Sequence, residues 1–153
     1  MPPRRRVSDL DNHLGYWLRM VSNAVSHAFA ARLAKDGVTV AEWVFLRKLY
    51  DVETRAPTRL AGDLGMTKGA ISKLADRLIG KGLVERTADP DDGRAHTLGL
   101  TRSGRDKVPR LAALADETDA AFFGDLEPSD RAALDRILRT LVERRGLNDV
   151  PTE

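Results

Sequence analysis

Cysteine is absent from the 153 residues of this chain. Its absence excludes a disulfide framework, a thiolate zinc site and a cysteine redox switch. Histidine is scarce: His13, His27 and His96 are the three present, and no HExxH spacing joins them. No apolar run is long enough to span a bilayer. Arg4-Arg5-Arg6 is not followed by an apolar core, so the start does not read as a secretory signal. There is no GxSxG elbow and no GxGxxG turn. The phrase IGKG at 79–82 lacks the earlier glycine of a phosphate loop, since Ala75 stands there. DPDDG begins like a calcium loop, but its twelfth position is Leu100 where a bidentate glutamate is required. These gaps point away from an enzyme, a metal centre or a bound cofactor, and towards a cytoplasmic protein.

What is present is an uneven distribution of charge. The net charge is only +2, but residues 55–107 hold 11 Lys/Arg against 7 Asp/Glu, while residues 108–153 hold 6 against 10. The basic excess therefore sits in the middle, and the acidic end is poorly suited to face nucleic acid.

That basic middle contains PTRLAGDLGMTKGAISKLADRL at 57–78. Small Ala61 suits a steep helix crossing, and Gly65 suits a turn that needs positive φ. Ile71, Leu74 and Leu78 stack on one face of the second helix, leaving Gly69, Lys73 and Asp76 outward with Ser72 and Arg77 beside them. An ordinary αα-hairpin has the same spacing, so the following stretch decides. Leu83–Thr87 and His96–Leu100 are short and rich in β-formers, and Asp89-Pro90-Asp91-Asp92-Gly93-Arg94 lies between them. Asp89 suits the first position of a turn, Pro90 the second, and Gly93 a left-handed residue. The expectation is a helix-turn-helix followed by a β-hairpin wing. Arg94 at the tip is placed to enter a minor groove, with Asp92 holding its guanidinium by a charge-assisted bond.

These motifs, together with LIGKGLVER at 78–86, DPDDGRAHTLGLT at 89–101 and TRSGR at 101–105, resemble the MarR family of bacterial transcription regulators over roughly residues 9–146. The resemblance implies a mainly α fold with a small β-hairpin. A winged helix-turn-helix lobe would span about residues 38–101. Dimerisation helices would come from the two chain ends, about 8–36 and 102–146, within a single domain of residues 1–153. It also implies a homodimer on a pseudo-palindromic double-stranded operator, acting most often as a repressor, with release by a small aromatic or anionic ligand in many relatives. On this chain the DNA-facing residues would be Thr67, Lys68, Gly69, Ala70, Ser72, Lys73, Arg77 and Arg94. Thr67 would cap the reading helix and offer its N–H groups to a phosphate. A pocket for an effector would take His13, Trp17, Trp43 and Arg47, with Tyr50 beside them. The alternative is a winged helix used for protein–protein assembly without a specific DNA site, which would not need cations at both the second helix and the wing.

The flanking helices have their own signals. Ser8 and Asp11 suggest a capping-box-like start for a helix reaching about Lys35 and stopped by Gly37, roughly 40 Å long. Leu10, Leu14, Trp17, Val21, Val25 and Ala28 line one side of it. A lone small lobe has little use for such a length, so part of it is expected to pack on a second copy. Thr39 and Glu42 form a second capping box, with Val38 and Trp43 at the staple positions and Phe45, Leu46 and Leu49 on the core face. Thr101 is the cap expected for a helix over Arg102–Phe123, with a bend near Pro109. Pro128 suits the first position of a last helix whose stripe is Leu134, Ile137, Leu138 and Leu141, although Glu127 is a poor cap. Residues Leu147–Glu153 are expected to be disordered.

Overall fold

The computed structural model describes Met1 and residues 6–153. After a 3-10 turn at Leu10–Asn12, the order is α1 (Leu14–Lys35), α2 (Val40–Tyr50), α3 (Pro57–Leu64), α4 (Lys68–Gly80), β1 (Val84–Ala88), β2 (His96–Leu100), α5 (Arg102–Phe123) and α6 (Pro128–Arg145). The two strands pair antiparallel from Val84↔Leu100 to Ala88↔His96. The mainly α class and the winged helix-turn-helix are therefore as expected.

The core belongs to the middle of the chain. Phe45, Leu46 and Leu49 of α2, Leu60 and Leu64 of α3, and Ile71 and Leu78 of α4 are fully buried together with Leu98 of β2. The chain ends reach this core at two fully buried residues, Leu33 at the end of α1 and Leu111 in the first half of α5. The rest of α1 and all of α6 bury nothing completely. Their apolar side chains face outward: Leu14 is 88% exposed, Trp17 50%, Ile137 46% and Leu141 45%. Stripes of this kind, running along two helices, exceed what a monomer ordinarily leaves to water.

Local chemistry sets the joints. Thr39 and Glu42 complete their capping box, with Glu42 N donating to Thr39 Oγ1 at 3.2 Å and Thr39 N to Glu42 Oε1 at 3.1 Å. Thr101 caps α5 by accepting from Gly104 N, while its hydroxyl donates to the Gly82 carbonyl at 2.7 Å. A Cβ on Gly104 would stand 2.1 Å from the Leu83 carbonyl oxygen, so only glycine lets α5 start against the first strand. The hairpin is also pinned from its far side: Arg55 N donates to Leu98 O at 2.8 Å and Leu98 N to Arg55 O at 2.9 Å. Pro109 lies within α5, which runs unbroken past it.

Three local expectations are corrected. The first helix starts at Leu14, not near Ser8. His13 is its N-cap with no side-chain cap bond, because the 3-10 turn uses up the preceding residues. Its 22 residues span about 33 Å rather than about 40 Å. Gly93 is not left-handed: the positive-φ glycines among the described residues are Gly37, Gly65, Gly82 and Gly146. The wing tip reverses through aspartate side chains instead. Asp91 N donates to Asp89 Oδ1, Arg94 N to Asp92 Oδ1, and Ala95 N to Asp92 O at 3.0 Å. Finally, the segment after α6 is not loose. Val150 packs against the core cluster and Asp149 lies beside Gly65.

Candidate nucleic-acid interface

The reading helix α4 is positioned from both ends. At its start, Gly65 takes φ +63° to end α3, and Thr67 Oγ1 accepts from Ala70 N at 3.1 Å. That cap satisfies one N–H of the first turn and leaves others available to an anion. Lys68, Gly69, Ser72 and Lys73 are exposed along the leading surface, while Ala70 is half-buried under the cap. A Cβ on Gly69 would meet nothing closer than Thr67 Oγ1 at 3.9 Å, so a phosphate or base edge can come close to the backbone here. Among the described residues, neither lysine has a carboxylate partner within ion-pair distance.

At the other end, α4 is anchored to α2 through one buried carboxylate. Glu42 is 0% exposed and receives Arg77 Nη2 at 3.0 Å on Oε1 and Lys81 Nζ at 2.7 Å on Oε2. Lys81 also donates to the Gly37 carbonyl at 2.7 Å. Arg77, expected to face DNA, is 52% exposed while its guanidinium pairs with Glu42, so it anchors α4 from a position that still reaches solvent. Nothing in the sequence places residue 42 near residues 77 and 81, so sequence patterning could not anticipate the arrangement. Glu42 then occupies two roles, N3 of a capping box and counter-ion to α4.

Burial pushes the Glu42 carboxyl up, but the bonds from Lys81 and Thr39 outweigh it and leave it below the ordinary carboxylate value. A carboxyl held lower in the folded than in the unfolded state contributes stability that is complete above the unfolded value, ~4.3, and is lost as pH falls below it. Urea unfolding of the parent should therefore lose stability as pH falls below ~4.3. A Glu42→Gln protein, less stable at pH 7, should show a flatter acid limb. An equally steep limb in both would remove Glu42 from this role.

The wing stands beside α4. Arg86 Nη2 of β1 pairs with Asp76 Oδ1 of α4 at 2.6 Å. A cleft of about 260 Å³ is lined by Pro57, Ile71, Ser72, Ala75, Arg86, His96 and Leu98. Ser72 of the reading helix and His96 of the wing thus border one notch. Sequence reasoning singled out Ser72 and passed over His96 and Arg86, although the alternation of β1 and β2 is the signal that would have put them on one side of the hairpin. Arg94 is exposed at the tip and has no ion pair among the described residues. Its expected bond to Asp92 is corrected: the Asp92 carboxylate accepts from the Arg94 backbone N–H, not from the guanidinium. Asp92 therefore shapes the loop and leaves the cation free to swing.

The four expected effector residues do not line one pocket. Trp43 borders an apolar cavity of about 290 Å³ with Val25, Phe29, Val40, Val44 and Thr118, between α1, α2 and α5. His13 lies in a shallow depression with Tyr16 and Arg19. Trp17 is exposed and donates to Asp11 O at 2.9 Å. Arg47 pairs with Asp51 at 2.8 Å and lies 5.7 Å from the centre of the Tyr50 ring. For Trp17 the reason is helical rise, which places it about 12 Å along α1 from Val25 and about 18 Å from Phe29; Arg47, one turn from Trp43, is drawn to Asp51.

Comparison with known proteins agrees with this geometry. The family model described as MarR family matches residues 38–96. The chain is 30% identical over 103 residues to the multiple antibiotic resistance protein MarR of Escherichia coli, covering 65% of this chain and 72% of that protein. It is 29% identical over 131 residues to the HTH-type transcriptional repressor Rv2887 of Mycobacterium tuberculosis, covering 86% and 94%. Among solved structures, a mutant of E. coli MarR complexed with operator DNA superposes with a TM-score of 0.75 at 26% identity, covering 88% of this chain and 99% of that one. The chain belongs to the MarR family of winged helix-turn-helix transcription regulators.

Proposed function

We propose that this protein is a homodimeric repressor that reads a pseudo-palindromic operator with two copies of α4 and two wings. The observation that carries the reading is that the capped start of α4, exposed Lys68 and Lys73, and Arg94 at the wing tip leave cations uncompensated at both DNA-reading elements. An assembly module would have no use for such cations at both places. The E. coli MarR structure with operator DNA, which has the same fold, supports it. Residues 38–101 act as the DNA-binding lobe and residues 8–36 and 102–146 as dimerisation helices, in the cytoplasm where the chromosome lies. No catalytic role is assigned to any residue. An effector, a small aromatic or anionic molecule, enters the cavity beside Trp43. Arg32, which donates to Thr118 in its wall at 2.7 Å, offers a cation there.

Within this reading Thr67, Lys68, Gly69 and Ala70 form the phosphate-binding start of α4, Ser72 and Lys73 approach base edges, and Arg77 holds the helix against Glu42. Selection from random duplexes would define the operator. Lys73→Ala should then cost about 1–3 kcal/mol on that sequence and relax preference at one base pair in each half-site. Equal weakening on operator and random DNA would move Lys73 to phosphate contact, and no selected sequence at all would overturn the reading.

A further inference from the structure

The segment after α6 crosses from the dimerisation helices to the reading lobe. Gly146, at φ +59°, ends α6, and Leu147 N closes the helix on Val142 O at 3.0 Å. The chain then passes the helix-turn-helix turn, where Asp149 Oδ1 lies 3.1 Å from the position a Cβ on Gly65 would take. Val150, Pro151 and Glu153 finally join the lining of the cavity between α1, α2 and α5. Val150 is half-buried among the residues packed on the core, with Phe29, Val40, Trp43 and Val44.

We propose that residues 147–153 are an intramolecular occupant of this cavity, a strap that any small molecule binding there must displace. The attachment has the character of a releasable one. Among the described residues, Asn148–Glu153 make no hydrogen bond, so the seat rests on apolar contact at Val150 and Pro151. Glu153 brings a negative charge to a wall that also holds Asp119. With the strap seated, the cavity of about 290 Å³ lies at the lower limit for a drug-sized ligand, and removing two side chains enlarges it. A pocket that is competent only when vacated shows an affinity reduced by the fraction of time it is open. The same segment touches the turn at Gly65, so a ligand that expels Val150 also withdraws Asp149 from the start of the reading helix. In this way occupancy of the cavity reaches α4 without passing through the core.

The inference rests on the effector reading of the cavity only in treating the strap as a competitor, and the test separates the two. Trp17→Phe leaves Trp43, in the cavity wall, as the sole tryptophan. In that background Val150→Asp, and separately a chain ending at Gly146, are compared with the parent by Trp43 emission and by titration with N-phenyl-1-naphthylamine. This probe is a neutral aromatic, whose affinity the altered charge does not bias. Both variants should shift Trp43 emission to longer wavelength and bind the probe at least threefold more tightly, with unchanged circular dichroism. A shifted emission with no probe binding by any form would uphold the seated strap and sink the effector reading. Unchanged emission with unchanged probe affinity would overturn the strap.

Discussion

A protein carrying Leu14→Glu and Leu141→Glu should sediment as a monomer at micromolar concentration and bind operator at least about 100-fold more weakly. Leu14 is 88% exposed and Leu141 45%, on stripes that the chain does not cover itself. Burying one such side chain against a second copy is worth ~1.5–3 kcal/mol, and two-fold symmetry counts each substitution twice. Four buried carboxylates per dimer would add a desolvation cost on top of the forfeited apolar burial. The lobe should survive, since its core draws on neither residue. DNA affinity falls because two linked reading helices bind half-sites about one helical turn, ~34 Å, apart, and linking the pair is worth a factor of ~10²–10⁴. A variant that stays dimeric in sedimentation, with parental affinity, would place the interface elsewhere.

The second large effect is expected at the wing. Arg94→Ala should leave unfolding within about 0.5 kcal/mol of the parent, because the side chain is exposed and the turn is closed by backbone bonds to Asp92 that alanine keeps. Operator binding should nevertheless weaken at least tenfold. The slope of log affinity against log salt should become shallower by about 0.9 for each phosphate that is no longer neutralised. Arg94→Lys should recover only part of the affinity, since a narrow minor groove takes the planar, weakly hydrated guanidinium better than an ammonium. Conversely, Asp92→Asn should be close to neutral, because an amide oxygen can accept the same backbone N–H. A large drop in affinity with Asp92→Asn would mean that the carboxylate does hold the guanidinium in the complex. Equal operator binding by Arg94→Ala and parent would withdraw the wing from the interface.

The elements that could be read from the sequence share one property: each is determined by residues within a few positions of one another. The capping pairs Thr39/Glu42, Thr67/Ala70 and Thr101/Gly104 are local, as are the 3.6-residue stripe of α4 and the left-handed Gly65. The uncovered faces of α1 and α6 were also legible, as apolar stripes longer than one lobe can use. Side-chain patterning records such facts directly, because the same few residues both encode and satisfy them. What tertiary structure alone decided involves groups far apart in the chain. Glu42 was readable as a cap and became the counter-ion of Arg77 and Lys81 only once α2 and α4 crossed. The cavity beside Trp43 likewise joins Val25 and Phe29 of α1 to Val40 and Val44 of α2 and Thr118 of α5, residues that no local pattern groups. The last seven residues carry no periodic pattern and were expected to be disordered. Their order comes from a cavity formed by three other helices, a surface that exists only after the chain has folded.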